Sequence, residues 1–133
     1  MSEKQNLFVM IKPDGVKRGL IGEVISRFEK KGFNIEEMKM LIPSKELIEK
    51  HYEEHSSKSF FKDLVNFTIS GPVVAMILNG DVQVARKLVG QTLPWKADEG
   101  TIRGDFACCM RENLVHCSDS IESSKREIGT WFR

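Results

Sequence analysis

The sequence lacks an excess of either charge. Its 133 residues carry 20 Lys and Arg against 19 Asp and Glu, a formal net charge of +1. That balance argues against a chain whose main work is binding nucleic acid through bulk positive charge, though a local basic pocket remains compatible with it. Cysteine is sparse. Cys108, Cys109 and Cys117 make an odd count with no C-x-x-C pair, so neither a disulfide framework nor a zinc knuckle fits. No apolar run approaches membrane-spanning length, and the polar start Met1-Ser2-Glu3-Lys4-Gln5-Asn6 does not read as a signal peptide. A reduced cytoplasmic (or nuclear) compartment is expected, with the Asn66-Phe67-Thr68 sequon a chance match. There is neither a G-x-x-x-x-G-K-[ST] loop nor a G-x-G-x-x-G fingerprint, so any bound phosphate must be held mainly by side chains.

What is present describes an ordinary folded chain. A hydrophobic share of 41% is too high for a disordered one. The length suits one domain over residues 1–133, with a core that needs no disulfide or structural metal. Leu7-Phe8-Val9-Met10-Ile11 reads as a strand ended by a Pro13-Asp14-Gly15 turn. Residues 22–31 set Val24, Ile25 and Phe28 opposite Glu23, Arg27 and Lys30, the stripe of an amphipathic helix closed at Gly32. Residues 33–42 suggest a second strand stopped by Pro43, and Ser44 suits the N-cap of a helix reaching about His55. Phe60, Phe61, Leu64, Val65 and Phe67 mark another helix, and the unbroken apolar run 73–78 a buried central strand. Asp81 can cap a helix over 82–89 closed by Gly90. Residues 91–104 read as a long functional loop, 105–110 as a fourth strand and 123–128 as a short final helix. This order predicts an α+β fold: a ferredoxin-like βαββαβ four-stranded antiparallel sheet with helices packed on one face.

Several residues can carry chemistry. Lys12, Arg86 and Arg103 are candidate phosphate ligands, Arg as a planar fork of donors and Lys as a mobile point charge. His116 stands among polar residues at the end of a strand-like run. Imidazole titrates near neutral pH, so it can serve as nucleophile or proton shuttle, and a carboxylate such as Glu127 could hold one ring nitrogen protonated. From the residues alone, a plain loop histidine fits as well. His51-Tyr52-Glu53-Glu54-His55 matches the H-x-x-E-H pattern of some zinc peptidases, and also a solvated helix face. Phe60 and Phe61 suit either a helix core or the rim of a pocket that stacks a flat ring.

Read together, these segments resemble the nucleoside diphosphate kinase family. The match is carried by Ile11-Lys12-Pro13-Asp14-Gly15-Val16, Arg18-Gly19-Leu20-Ile21-Gly22-Glu23 and Ser70-Gly71-Pro72-Val73-Val74-Ala75-Met76. It continues through Gly100-Thr101-Ile102-Arg103-Gly104-Asp105-Phe106, Asn113, His116, Ser118-Asp119-Ser120, Glu122-Ser123 and Glu127-Ile128, in register from about Leu7 to Phe132. The resemblance implies ping-pong transfer of the γ-phosphate of a nucleoside triphosphate such as ATP to a nucleoside diphosphate, through a phosphohistidine on His116. Lys12, Arg86, Arg103 and Thr92 would hold phosphate, with Lys12 also near the sugar hydroxyls, and Asn113 would bind the ribose. Tyr52 and Glu127 would orient the histidine, and Ser118 would bond that glutamate. Phe60 would stack the base, with Leu64 and Met110 as its apolar neighbours. Mg²⁺ is implied on the nucleotide phosphates, with Asp119 the nearest carboxylate.

The resemblance further implies a cytoplasmic homo-oligomer, a hexamer rather than a tetramer or dimer, assembled partly through the 91–104 loop. It implies no membrane partner and no dedicated nucleic-acid site. It makes Tyr52 the functional residue of the 51–55 segment and leaves His51 and His55 on the surface. Where the family usually has Gly after the histidine, this chain has Cys117. If that position demanded a positive φ, a Cβ there would carry a steric penalty.

Overall fold

The computed structural model describes residues 5–109 and 112–132. In chain order its elements are β1 (Gln5–Ile11), α1 (Pro13–Lys17), α2 (Ile21–Lys30), β2 (Asn34–Leu41), α3 (Lys45–His51), α4 (Phe61–Thr68), β3 (Val73–Gly80), α5 (Val82–Val89), α6 (Ile102–Phe106), β4 (Val115–Cys117) and α7 (Ile121–Phe132). Short 3₁₀ turns at Glu53–His55 and Pro94–Lys96 join α3 to α4 and interrupt the 91–104 segment. The four strands form one sheet in the order β2-β3-β1-β4, with every neighbouring pair antiparallel.

The two central strands explain the layering. Leu7 to Ile11 are all buried, as are residues 73–78 of β3. Successive strand residues point to opposite faces, so a continuous apolar run needs cover on both sides. On one face Leu7, Val9, Ile11, Val74, Met76 and Leu78 pack with Val24 and Phe28 of α2 and Ala85 and Val89 of α5. On the other, Phe8, Met10, Ala75 and Ile77 pack with Ile48 of α3, Val65 of α4 and Ile128 and Trp131 of α7. Helices therefore cover both faces, not the one face expected from element order.

Local chemistry sets the element ends. Ser44 Oγ accepts from Leu47 N–H, and Asp81 Oδ1 accepts from the N–H groups of Gln83 and Val84. Each satisfies helix-end donors that have no partner within the helix. The Pro13-Asp14-Gly15 segment forms the helical turn α1, with Pro at its first position, where a missing N–H costs nothing.

The fourth strand is not where the sequence placed it. Residues 102–106 are the helix α6, which Thr101 caps through Gly104 N–H, and the strand beside β1 is the three-residue β4. A three-residue strand is too short to show an alternating pattern, whereas residues 105–110 mimic one by composition.

Candidate active site

Strand β4 pairs with β1 so that His116 lies opposite Met10 and Cys117 opposite Val9. The chain enters β4 through Leu114, whose φ of 76° is rare for a residue with a Cβ. Tertiary bonds over-determine this conformation. Leu114 N–H donates to Asp14 Oδ2 at 3.0 Å, and Leu114 O accepts from Lys12 N–H at 2.8 Å. Gly15 permits this approach, since a Cβ there would lie 2.9 Å from Ile11 Cγ2 and 3.1 Å from Leu114 O. The Lys12-to-Gly15 turn and the Asn113–Leu114 corner are thus locked together across the sheet end. The lock brings Lys12 Nζ to Asn113 Oδ1 at 3.1 Å.

These elements open onto a cavity of about 770 Å³. Lys12, Tyr52, Phe60, Leu64, Arg86, Thr92, Arg103, Asn113, His116, Asp119 and Glu127 all line it. Ser118 lies beneath the wall, fully buried, and Met110 falls outside the described residues. Every other residue singled out for the site in the sequence is therefore brought to one concavity from α4, α5, α6, β4 and α7 and the intervening loops.

Arg103 is held in the cavity wall by three carbonyl groups: Nη2 donates to Val115 O at 2.6 Å, Nη1 to Gly90 O at 3.1 Å and Nε to Asn113 O at 3.4 Å. Burial, with the neighbouring charge of Arg86 adding to it, brings its pKa down to about 10. Burial likewise brings the Lys12 ammonium down to about 8, partly opposed by Asp14. Cationic groups this desolvated gain from a multiply charged anion, because the anion restores the electrostatic solvation that burial removed. Asp119 also lines this region. A hydrogen bond from Ser123 and the charge of Arg86 hold its carboxyl below the usual range, so it is ionised at neutral pH.

His116 Nε2 lies 2.9 Å from Glu127 Oε1. An ionised carboxylate only accepts, so Nε2 carries the proton and Nδ1 keeps its lone pair. Ser118 Oγ lies 2.6 Å from the same Oε1 and 3.1 Å from Phe8 O, and its single proton serves one of them at a time. Burial pushes the Glu127 pKa up, but the bonds from His116 and Ser118 and the nearby histidines outweigh it, so it is held below its ordinary value. His116 is thus fixed in one tautomer, with the unprotonated nitrogen available as a nucleophile.

The histidine's surroundings differ from the expectation in one respect. His51 is not on the surface: it is 2% exposed, and its ring packs at 4.6 Å and 76° against that of His116. Trp131 Nε1–H donates to His51 Nδ1 at 3.0 Å, and burial lowers the His51 pKa to about 3, so the ring stays neutral. The signal was present in α3, where His51 and Tyr52 follow Ile48 by three and four residues and share its core-facing side. The Tyr52 ring stands 6.2 Å from that of His116, and its hydroxyl hydrogen-bonds Thr68. His55 packs on Tyr52 and Phe60, and among the described residues it shares no group of three or more potential metal ligands with His51. Cys117 adopts ordinary strand geometry without a positive φ, and burial pushes its thiol up to about 12.

Phe60 at the mouth is 48% exposed, an aromatic face without full cover. One cavity thus presents an exposed aromatic ring, the cations Lys12, Arg86 and Arg103, and an oriented imidazole.

Comparison with known proteins agrees with this arrangement. The family model described as nucleoside diphosphate kinase matches residues 5–133. The nucleoside diphosphate kinase of Saccharolobus solfataricus is 58% identical over 130 residues, covering 96% of this chain and 94% of its own. That of Exiguobacterium sibiricum is 55% identical over 131 residues, covering 97% and 95%. A crystal structure of nucleoside diphosphate kinase from Encephalitozoon cuniculi superposes with a TM-score of 0.93 at 42% identity, covering 99% of this chain and 89% of that one. The chain belongs to the nucleoside diphosphate kinase family of phosphotransferases.

Proposed function

We propose that His116 is the residue that carries the phosphoryl group in this chain's nucleoside diphosphate kinase reaction. One observation bears most of the weight: an imidazole fixed through Nε2 by a buried carboxylate, in a cavity that Lys12, Arg86 and Arg103 also line. Nδ1 attacks the γ-phosphorus of a nucleoside triphosphate, the bond to the β-bridging oxygen breaks, and the diphosphate leaves. A nucleoside diphosphate then enters the same cavity and its terminal oxygen takes the phosphoryl group from Nδ1. Splitting the transfer this way lets one pocket serve both nucleotides.

The remaining residues position and stabilise. Lys12, Arg86, Arg103 and Thr92 hold phosphate oxygens and the charge that develops on them. Asn113, already bonded to Lys12, meets the ribose. Phe60, with Leu64 and Met110, takes the base. Stacking reads no base edge, which suits broad nucleotide use. Glu127 and Ser118 hold the imidazole, and Tyr52 walls its pocket. Mg²⁺ fits the donor set, because an ionised Asp119 beside the phosphate-binding cations supplies the single carboxylate such an ion needs alongside phosphate oxygens and water. When bound, it neutralises phosphate charge.

We also read residues 1–133 as one catalytic domain that works as a cytoplasmic homo-oligomer, a hexamer in preference to a tetramer or dimer. Among the described residues no helix is long and apolar enough to cross a membrane. The edge strand β2 exposes Met38 and Met40, Ile42 just after it is also exposed, and the 91–104 segment exposes Trp95. Those are apolar surfaces that copies of the chain could bury. A coupled assay with ATP and several diphosphate acceptors tests the catalytic reading. All acceptors should be charged at comparable rates, and His116→Ala should charge none. Turnover by the alanine variant would end the assignment.

A further inference from the structure

Among the described residues, two clusters bring three potential metal ligands together: His51, His116 and Glu127, and Cys108, Cys109 and Glu112. The first is closed to metal at His51. Its Nδ1 accepts from Trp131, so its Nε2 carries the proton and has no lone pair to give.

The second has no such obstacle. The Sγ atoms of Cys108 and Cys109 and a carboxylate oxygen of Glu112 all lie within 4.8 Å of one another. Cys109 Sγ already contacts Glu112 Oε2 at 3.6 Å. Both thiols are free, Cys108 is exposed and Cys109 half-buried, so an ion can reach them from solvent. We propose that Cys108, Cys109 and Glu112 form a binding site for one thiophilic divalent cation of the zinc class on the wall of the nucleotide cavity.

The ligand chemistry favours that class. Thiolate sulfur selects zinc-like ions, while magnesium and calcium prefer oxygen ligands throughout. Three protein ligands leave a tetrahedral ion one open position, the arrangement of an accessible rather than a purely structural site. As each thiol becomes a ligand it releases its proton to solvent. With two neutral thiols and a carboxylate exchanged for two thiolates, a carboxylate and a divalent ion, the cluster's net charge is unchanged. The site therefore need not compete electrostatically with the phosphate cations, although Cys109 lines the same cavity as Lys12 and Asn113. This cluster is separate from Cys117, whose buried thiol stays protonated at neutral pH.

The test uses the full chain, stripped of metal by chelator and held reduced, titrated with Cd²⁺ while the ultraviolet thiolate-to-metal charge-transfer band is followed. One equivalent should saturate the band, and Zn²⁺ should displace it. Cys108→Ser and Cys109→Ser should each abolish it, and Glu112→Gln should weaken Cd²⁺ roughly tenfold or more. Cys117→Ser should leave the titration unchanged. Cys108 and Glu112 are exposed and Cys109 half-buried, and circular dichroism of each variant confirms that it is folded. The assignment is overturned if the wild type shows no stoichiometric band, if either Cys108→Ser or Cys109→Ser retains it, if Cys117→Ser removes it, or if Glu112→Gln binds as the wild type does. None of these readouts depends on kinase activity, so failure here and failure of the phosphohistidine reading are distinguishable.

Discussion

Replacing Glu127 separates the charge of the carboxylate from its shape. The side chain is 5% exposed and its Oε1 lies 2.9 Å from His116 Nε2 and 2.6 Å from Ser118 Oγ. In Glu127→Gln the amide oxygen can still accept from both, but without a full negative charge. Hydrogen bonds to charged groups contribute about 1.5–3 kcal/mol and neutral ones about 0.5–1.5, so the glutamine should lose about 1–2 kcal/mol of support for the positive charge that builds on the ring as Nδ1 attacks. At about 1.4 kcal/mol per factor of ten, that is roughly a 5- to 30-fold slower phosphorylation. Glu127→Ala loses the bond itself, about 1.5–3 kcal/mol, and should slow the step roughly 10- to 150-fold. Single-turnover mixing with ATP, quenched into alkali, reads this step without product release. If the glutamine variant phosphorylates at the wild-type rate, or the alanine variant is no slower than the glutamine one, the carboxylate does not orient His116. The same variants bear on stability. Glu127 has a folded pKa below its ordinary 4.5, so its contribution is present above that value and is lost as pH falls through the folded one. Denaturation of Glu127→Gln should therefore depend less on acid pH than that of the wild type.

Further outcomes follow from the same geometry. Lys12 titrates near 8 in the free protein, so kcat/KM for nucleotide should fall as pH rises past about 8, and Lys12→Met should lower the rate and remove that limb. Because the folded value lies below the ordinary 10.5, stability measured by denaturant should rise with this group as pH climbs from about 8 toward 10.5, and Lys12→Met should lack that rise. Phe60→Ala should raise the KM of purine and pyrimidine nucleotides alike, by the roughly 5- to 150-fold that about 1–3 kcal/mol of stacking represents, with little change in melting temperature since Phe60 is 48% exposed. Trp131→Phe removes the donor to His51 Nδ1 and leaves a buried acceptor unpaired, at a cost of about 1–3 kcal/mol in unfolding free energy.

Much of this was legible in the sequence because it is written in local patterns. The apolar run 73–78 was the best candidate for a buried central strand and is one, and Ser44 and Asp81 cap the helices they were expected to cap. That Lys12, Arg86, Thr92 and Arg103 line one cavity was legible only through several motifs standing in order, since they come from separate segments of the chain. What escaped depends on contacts between distant segments. Strand β4 is defined by its pairing with β1, not by its own three residues. Helices on both faces follow from how the central strands are flanked, which element order alone leaves open. The burial of His51 depends on Trp131, 80 positions away. The strained corner at Leu114 exists because Asp14 and Lys12 hold it from the other end of the chain.

The central claim is that Nδ1 of His116 carries the phosphoryl group. Incubation with γ-labelled ATP, alkaline proteolysis and identification of the labelled residue and ring position test it most directly. The account predicts an acid-labile, alkali-stable label on His116 as the Nδ1-phosphohistidine, discharged by any added nucleoside diphosphate. Label on another residue, label on Nε2, or label that a diphosphate acceptor cannot remove would contradict it.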